Sequence, residues 1–267
     1  MMKSSMPKWF IILIFGATPL VFVSCKEKPQ KNNEANEPDE VSRSINEVTD
    51  MYARQIEGEG DLQSDNDTLT RAIEAARQAE MSSTGQKAAN HMVLRHWLTL
   101  MRDQNLAQVE HQALIQEGSF YEKVTTAEEI DALSQKIHKY LEYNQEVQQK
   151  TKTGWMLQLK ELAEADGQDS KHVAKSLGEI SSSFNLIKAQ LLIIRQKDDE
   201  MCHAILNQHK VLKQAIGSWK WDKEKAIPVF DSPETQEEFN LTDQAIRKAI
   251  KEQNEAQAKV LAIQQGG

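Results

Sequence analysis

Glycine and aromatic residues are scarce in this chain, at 11 glycines and 6% Phe, Trp and Tyr in 267 residues. Sheet-rich folds draw on both, for turns and for pleated packing surfaces, so the scarcity argues against an all-β or α/β architecture. Cysteine is scarcer still, with only Cys25 and Cys202, which leaves no disulfide framework. Lys and Arg number 32 against 40 Asp and Glu, for a net charge of −8, and they form no cationic cluster of the kind nucleic acid requires. The acidic balance mainly favours solubility. Catalytic motifs are missing in the same way. There is no Gly-x-Ser-x-Gly, no phosphate-binding glycine loop and no His-Glu-x-x-His.

The chain does contain one long apolar run. Residues 9–23 (WFIILIFGATPLVFV) carry no charge and follow a short segment with Lys3 and Lys8. A run of about 15 residues suits the h-region of a signal peptide and is short of the roughly 20 needed to span a bilayer. Gly16 and Pro19 weaken a straight helix there. An uncleaved membrane anchor is the competing reading.

Beyond the run stands Phe22-Val23-Ser24-Cys25. This tetrapeptide resembles the lipobox of bacterial lipoproteins, with Phe22 where leucine is usual. The resemblance implies a signal peptide over residues 1–24, cleavage after Ser24, and a mature chain beginning at a lipid-modified Cys25. Two or more acyl chains make a stable anchor where one makes a marginal one. Lys26 follows the cysteine. In enterobacteria Asp at that position retains lipoproteins in the inner membrane, so by analogy the outer membrane is favoured. The expected location is the cell envelope, facing the periplasm or exterior. With Cys25 acylated, Cys202 stands alone, and its place in an apolar helical stripe reads as a buried, inert thiol.

Residues 25–40 form the lipidated N-terminus and a tether. Residues 26–40 (KEKPQKNNEANEPDE) hold no large apolar side chain and cannot bury enough surface to fold. Extended at roughly 3.3 Å per residue, they reach about 50 Å.

From Val41 to Gly267 the pattern is helical, and Gln, Glu, Ala, Lys and Leu dominate. Six helices are expected: from Val41, from Leu69, from the Ser83–Gln86 region to Gly118, from Thr126 to Ala165, from Val173 and from Ser232. Ser83 with Gln86 and Thr126 with Glu129 have capping-box spacing. The fourth helix slips in phase at Thr151 to Gly154. The fifth carries an apolar series at steps of four and three: Val173, Leu177, Ile180, Phe184, Ile187, Leu191 and Ile194. It continues through Asp198, Met201, Ile205, Gln208, Leu212, Ala215 and Trp219, with only Asp198 and Gln208 polar. That seam spans roughly 70 Å of helix at 1.5 Å per residue. Pro228 breaks helicity, and Ser232-Pro233-Glu234 restarts it with a hydroxyl cap, an N-terminal proline and an acid. The expected fold is all-α, an elongated antiparallel helix bundle with coiled-coil-like long helices, forming one domain over residues 41–267. The seam can pair within the chain or between two copies.

The general plan also resembles a family of enterobacterial lipoproteins of unknown function. The likeness rests on Ile227-Pro228-Val229-Phe230-Asp231-Ser232 and Glu238-Phe239-Asn240, and it implies no activity.

Three constellations merit weighing. Glu200 and His203 form a Glu-x-x-His pair of the di-iron bundle type, but the chain holds no second copy, and a solvated ion pair is the simpler reading. Trp219, Trp221 and Phe230 gather in one loop, either as a contact patch for a partner or as a staple closing the bundle end. The seam breaks at Asp198, Gln208, Thr151 and Gly154 are where a bundle would open a ligand pocket. No catalytic residue, metal ligand or cofactor is assigned. The leading expectation is a membrane-anchored adaptor or spacer with an envelope protein partner. The alternatives are a ligand-binding or sensory bundle and a metalloenzyme built on Glu200 and His203.

Overall fold

A computed structural model describes residues 39–56 and 61–264. Cys25, the signal peptide and nearly all of the tether lie outside the described residues. The chain is an all-α helical bundle, and its only strands among the described residues form one short hairpin. In order the elements are α1 (Glu40–Ile56), α2 (Leu62–Met81), α3 (Gly85–Gly118), α4 (Ala127–Gln149), a π-helical turn (Lys150–Gly154), α5 (Trp155–Ala165), α6 (Ser170–Gln214), β1 (Trp219–Asp222), β2 (Ile227–Phe230) and α7 (Pro233–Gln264).

Local chemistry explains most boundaries. At α4 the capping box forms as the spacing predicts. The Glu129 amide donates to Thr126 Oγ1 at 3.2 Å, and Glu129 Oε2 accepts from the Thr126 amide at 3.0 Å. At α7 the Thr235 amide donates to Ser232 Oγ at 3.3 Å, which makes Ser232 the cap and Pro233 the first helical residue. The expected box at Ser83 does not form. Helix α3 starts at Gly85, with the Thr84 carbonyl accepting its first bond. Gln86 is thereby released to reach α6, donating to the His172 carbonyl and to Ser176 Oγ, both at 3.0 Å.

The slip anticipated at Thr151 to Gly154 is the π turn. An i→i+5 turn takes one residue more than the α pattern, so the buried stripe resumes at Trp155. The seam of α6 is buried from Val173 to Leu212, except for half-buried Leu177. Helix α6 ends at Gln214, so Trp219 belongs to β1 and not to the seam. Gly217, at φ +83°, takes the left-handed conformation that turns the chain out of α6.

The chain divides into two compact units, with α3, α6 and α7 contributing segments to both. In the first unit, residues 109–148 and 192–256, α4 runs antiparallel to α6. Lys213 pairs with Asp131, Ser134 with His209, and Asn144 with Asp199. Helix α7 runs antiparallel to α6 in turn, with Phe239 packed beside Leu212 near the hairpin and Gln253 joined to Asp198 further along. One end of this unit is filled by Tyr121, Ile130, Val211, Leu212, Phe230 and Phe239.

The second unit contains the described residues before Val109, then 149–191 and 257–264. Here α1 and α2 form an antiparallel pair tied by Gln55 Nε2 donating to Asp65 at 2.6 Å. Helix α2 pairs antiparallel with α3 through Asn105 and Asn66, and through Arg95 and Glu80. Trp97 of α3 meets Trp155 and Phe184 edge to face, with ring centroids 6.4 and 5.8 Å apart.

Candidate functional site

The densest chemistry in the first unit lies where the α6 seam turns polar. Asp198 has no exposed surface, and Arg195, one turn before it, is 1% exposed. The i, i+3 spacing sets both side chains on one side of α6, where Arg195 Nη1 donates to Asp198 Oδ2 at 2.8 Å. A buried ion pair is tolerated only when its remaining valences are filled. Here the neighbours fill them. Asp198 accepts from Tyr140 Oη of α4 at 3.3 Å and from Gln253 Nε2 of α7 at 2.7 Å. Asn144 Nδ2 donates to the Arg195 carbonyl at 2.7 Å and to Asp199 Oδ1 at 2.8 Å. Gln148 Nε2 reaches Asp199 Oδ2 at 2.6 Å. Burial pushes the Asp198 carboxyl up to about 6, against the opposing pull of Arg195 and the hydrogen bonds from Tyr140 and Gln253. Such a value would suit a general acid, but the carboxyl is enclosed on every side. The arrangement clamps α4, α6 and α7 together.

Cys202, one turn further along α6, is free and fully buried. Burial, with Asp198 and Asp199 nearby, pushes its thiol well above the ordinary range.

The second polar break, Gln208, is closed as well. Its Oε1 accepts from Tyr121 Oη at 2.9 Å. Next to it, His209 Nε2 lies 2.9 Å from the Gly118 carbonyl and Nδ1 lies 2.8 Å from Ser134 Oγ. A carbonyl only accepts, so Nε2 carries the proton and Nδ1 accepts from the hydroxyl. Burial lowers this imidazole to about 4 and keeps it neutral.

In the second unit Arg95 joins Glu80 at 2.7 Å and Asp166 at 2.6 Å, and His96 Nε2 lies 2.8 Å from the same Asp166 oxygen. This cluster ties α2 and α3 to the turn after α5. Thr151 is buried within the π turn, whereas a Cβ added at Gly154 would meet only the stem of Lys150 and the Gln149 carbonyl.

Glu200 of the Glu-x-x-His pair is taken by Lys197, whose ammonium lies 2.8 Å from it and also reaches Glu252 on α7 at 2.6 Å. His203 is exposed. Among the described residues, no group of three or more His, Cys, Asp or Glu is arranged to hold a metal ion. No helix of the described residues is long and apolar enough to cross a membrane.

The hairpin pairs Trp219 with Phe230 and Trp221 with Pro228. Alternation along the strands puts these four on one face, and Trp219, Trp221 and Phe230 pack on the end cluster of the unit. Trp219 Nε1 donates to the Leu212 carbonyl at 3.3 Å, and the Phe230 amide donates to Gln236 Oε1 at 3.1 Å, fastening the hairpin to α6 and α7. The other face presents Lys220, Asp222, Ile227 and Val229, the last two 37% and 42% exposed.

No protein-family model matches the chain, and no curated protein or solved structure is detectably similar to it.

Sequence reasoning found Asp198 and Gln208 but not their partners. A signal for Gln253 was present: Ala249, Ala256 and Val260 leave a gap at 253 in the four-three rhythm of α7, as Asp198 does in α6. Two polar breaks in two seams meet across the helix pair.

Proposed function

We propose that this protein is a lipid-anchored envelope protein, tethered through Cys25, whose helical body works as a non-enzymatic interaction module. The observation that carries the reading is the hairpin's division of labour. Its aromatic face is spent on the core, and its opposite face offers Ile227 and Val229 beside Lys220 on a support fixed to two helices. Apolar groups held rigidly in a polar rim are what protein contacts use, because little side-chain entropy is lost on binding. The second support is that Asp198, Arg195, Cys202 and His209 are enclosed and committed to internal packing or hydrogen bonds. Trp219, Trp221 and Phe230 contribute to the contact by positioning the hairpin.

A double substitution, Ile227→Asp with Val229→Asp, tests this reading. Both positions are exposed, so unfolding by urea should be changed by less than about 1 kcal/mol. Recovery of the protein's envelope partner after in-cell crosslinking should fall at least tenfold. An unchanged partner profile would remove the hairpin from the interaction.

A further inference from the structure

A half-open groove of about 390 Å³ lies on the first unit between α4 and α6. Its volume falls within the range of small-molecule sites, roughly 300–1,000 Å³. The antiparallel rungs Asp131–Lys213, Ser134–His209 and Asn144–Asp199 set His138 across from the turn of α6 that carries His203 and Leu206. The one carboxylate in the lining, Asp131, is neutralised by Lys213 Nζ at 2.6 and 2.7 Å from its two oxygens. Lys210 touches only the neutral Asn207 amide oxygen, at 3.2 Å, and forms no ion pair among the described residues. His209 forms part of the wall as a neutral ring, with both nitrogens engaged. Besides the engaged His209 ring, the lining therefore presents one uncompensated ammonium, the His138 and His203 imidazoles and the apolar Ile130 and Leu206, on a protein of net charge −8. A groove with that local sign selects anions against the field of the whole molecule.

We propose that this groove binds a small amphiphilic anion, a phosphate or carboxylate whose head sits among Lys210, His203 and His138 and whose apolar part lies over Leu206. The site is independent of the hairpin contact, so either can fail without the other.

Phenyl phosphate is a suitable probe, with inorganic phosphate as the comparison, titrated into the full chain by calorimetry at low and high salt. The expected result is saturable binding of phenyl phosphate, weaker binding of inorganic phosphate, and loss of affinity as salt rises. Lys210→Gln with His203→Gln should weaken phenyl phosphate at least tenfold, with circular dichroism and the melting curve unchanged, since both residues are exposed. Three outcomes would overturn the proposal. They are no saturable heat at millimolar probe, equal binding by the variant, or tight zinc binding that requires His138 and His203 and excludes the phosphate.

Discussion

Asp198 and His209 make opposite demands on pH at the scale of single residues. The Asp198 carboxyl is held at about 6 against an ordinary 3.8, so the folded chain binds its proton more readily than the unfolded chain. Its contribution to stability is present at low pH and is lost as pH rises through about 6. The His209 ring is held at about 4 against 6.5, so its contribution is present at neutral pH and lost as pH falls toward 4. At about 1.4 kcal/mol per unit, each effect is on the order of a few kcal/mol, and over the shared window the two oppose each other. Urea unfolding from pH 7 to 4 should therefore separate the two. Relative to the native chain, His209→Gln should gain stability on acidification and Asp198→Asn should lose it. Parallel profiles for all three proteins would mean that neither group titrates as its burial dictates. Cys202 offers a simpler check. In a Cys25→Ala chain its enclosed, un-ionised thiol should resist a disulfide reagent for hours and react at once when urea unfolds the protein. Rapid native reaction would contradict its burial.

At the scale of elements, α3 and α4 approach closely where α3 ends. A Cβ added at Gly118 would lie 2.6 Å from Ile137 Cδ1 and 3.3 Å from the Leu133 carbonyl of α4. Gly118→Ala should cost about 1–3 kcal/mol in urea unfolding and disturb the His209 bond to the same residue's carbonyl. A variant as stable as the native chain would show that the two helices can part freely. This close approach was invisible in the sequence, where Gly118 read only as a helix terminator. The helices themselves were legible, because apolar side chains at four-three spacing cover one face wherever the core is greasy. Legibility failed where the buried face is polar. In α3 the inward positions include Gln104, Asn105 and Gln108, so the stripe lapses between Met101 and Ile115 although the helix does not. Arg195 was missed for a related reason: a charged residue beside a seam reads as solvent-facing until its partners on α4 are known. The hairpin was half legible. Pro228 predicted the loss of helix, but the packing of the hairpin on Tyr121 and Ile130, about 100 residues earlier, leaves no mark in the local pattern.

At the scale of the whole molecule, the proposed function joins a lipobox-like N-terminal segment to a helical body. The lipobox-like Phe22-Val23-Ser24-Cys25 and the charged, proline-containing segment after it are the reason to place the body at a membrane surface. Among the described residues Asp198, Cys202 and His209 lie buried, and the outward features on which the two proposals rest are the Ile227 and Val229 face and the groove beside Lys210. An adaptor needs both halves: the anchor raises the effective concentration of the body at the membrane, and the contact face supplies the specificity. In-cell crosslinking with mass spectrometry, comparing the native chain with Cys25→Ala, tests this account most directly. The account predicts a defined envelope protein crosslinked to the native chain and at least tenfold less of it with the folded but unanchored variant. A native chain that stays uncrosslinked, or a partner captured equally well without Cys25, would contradict it.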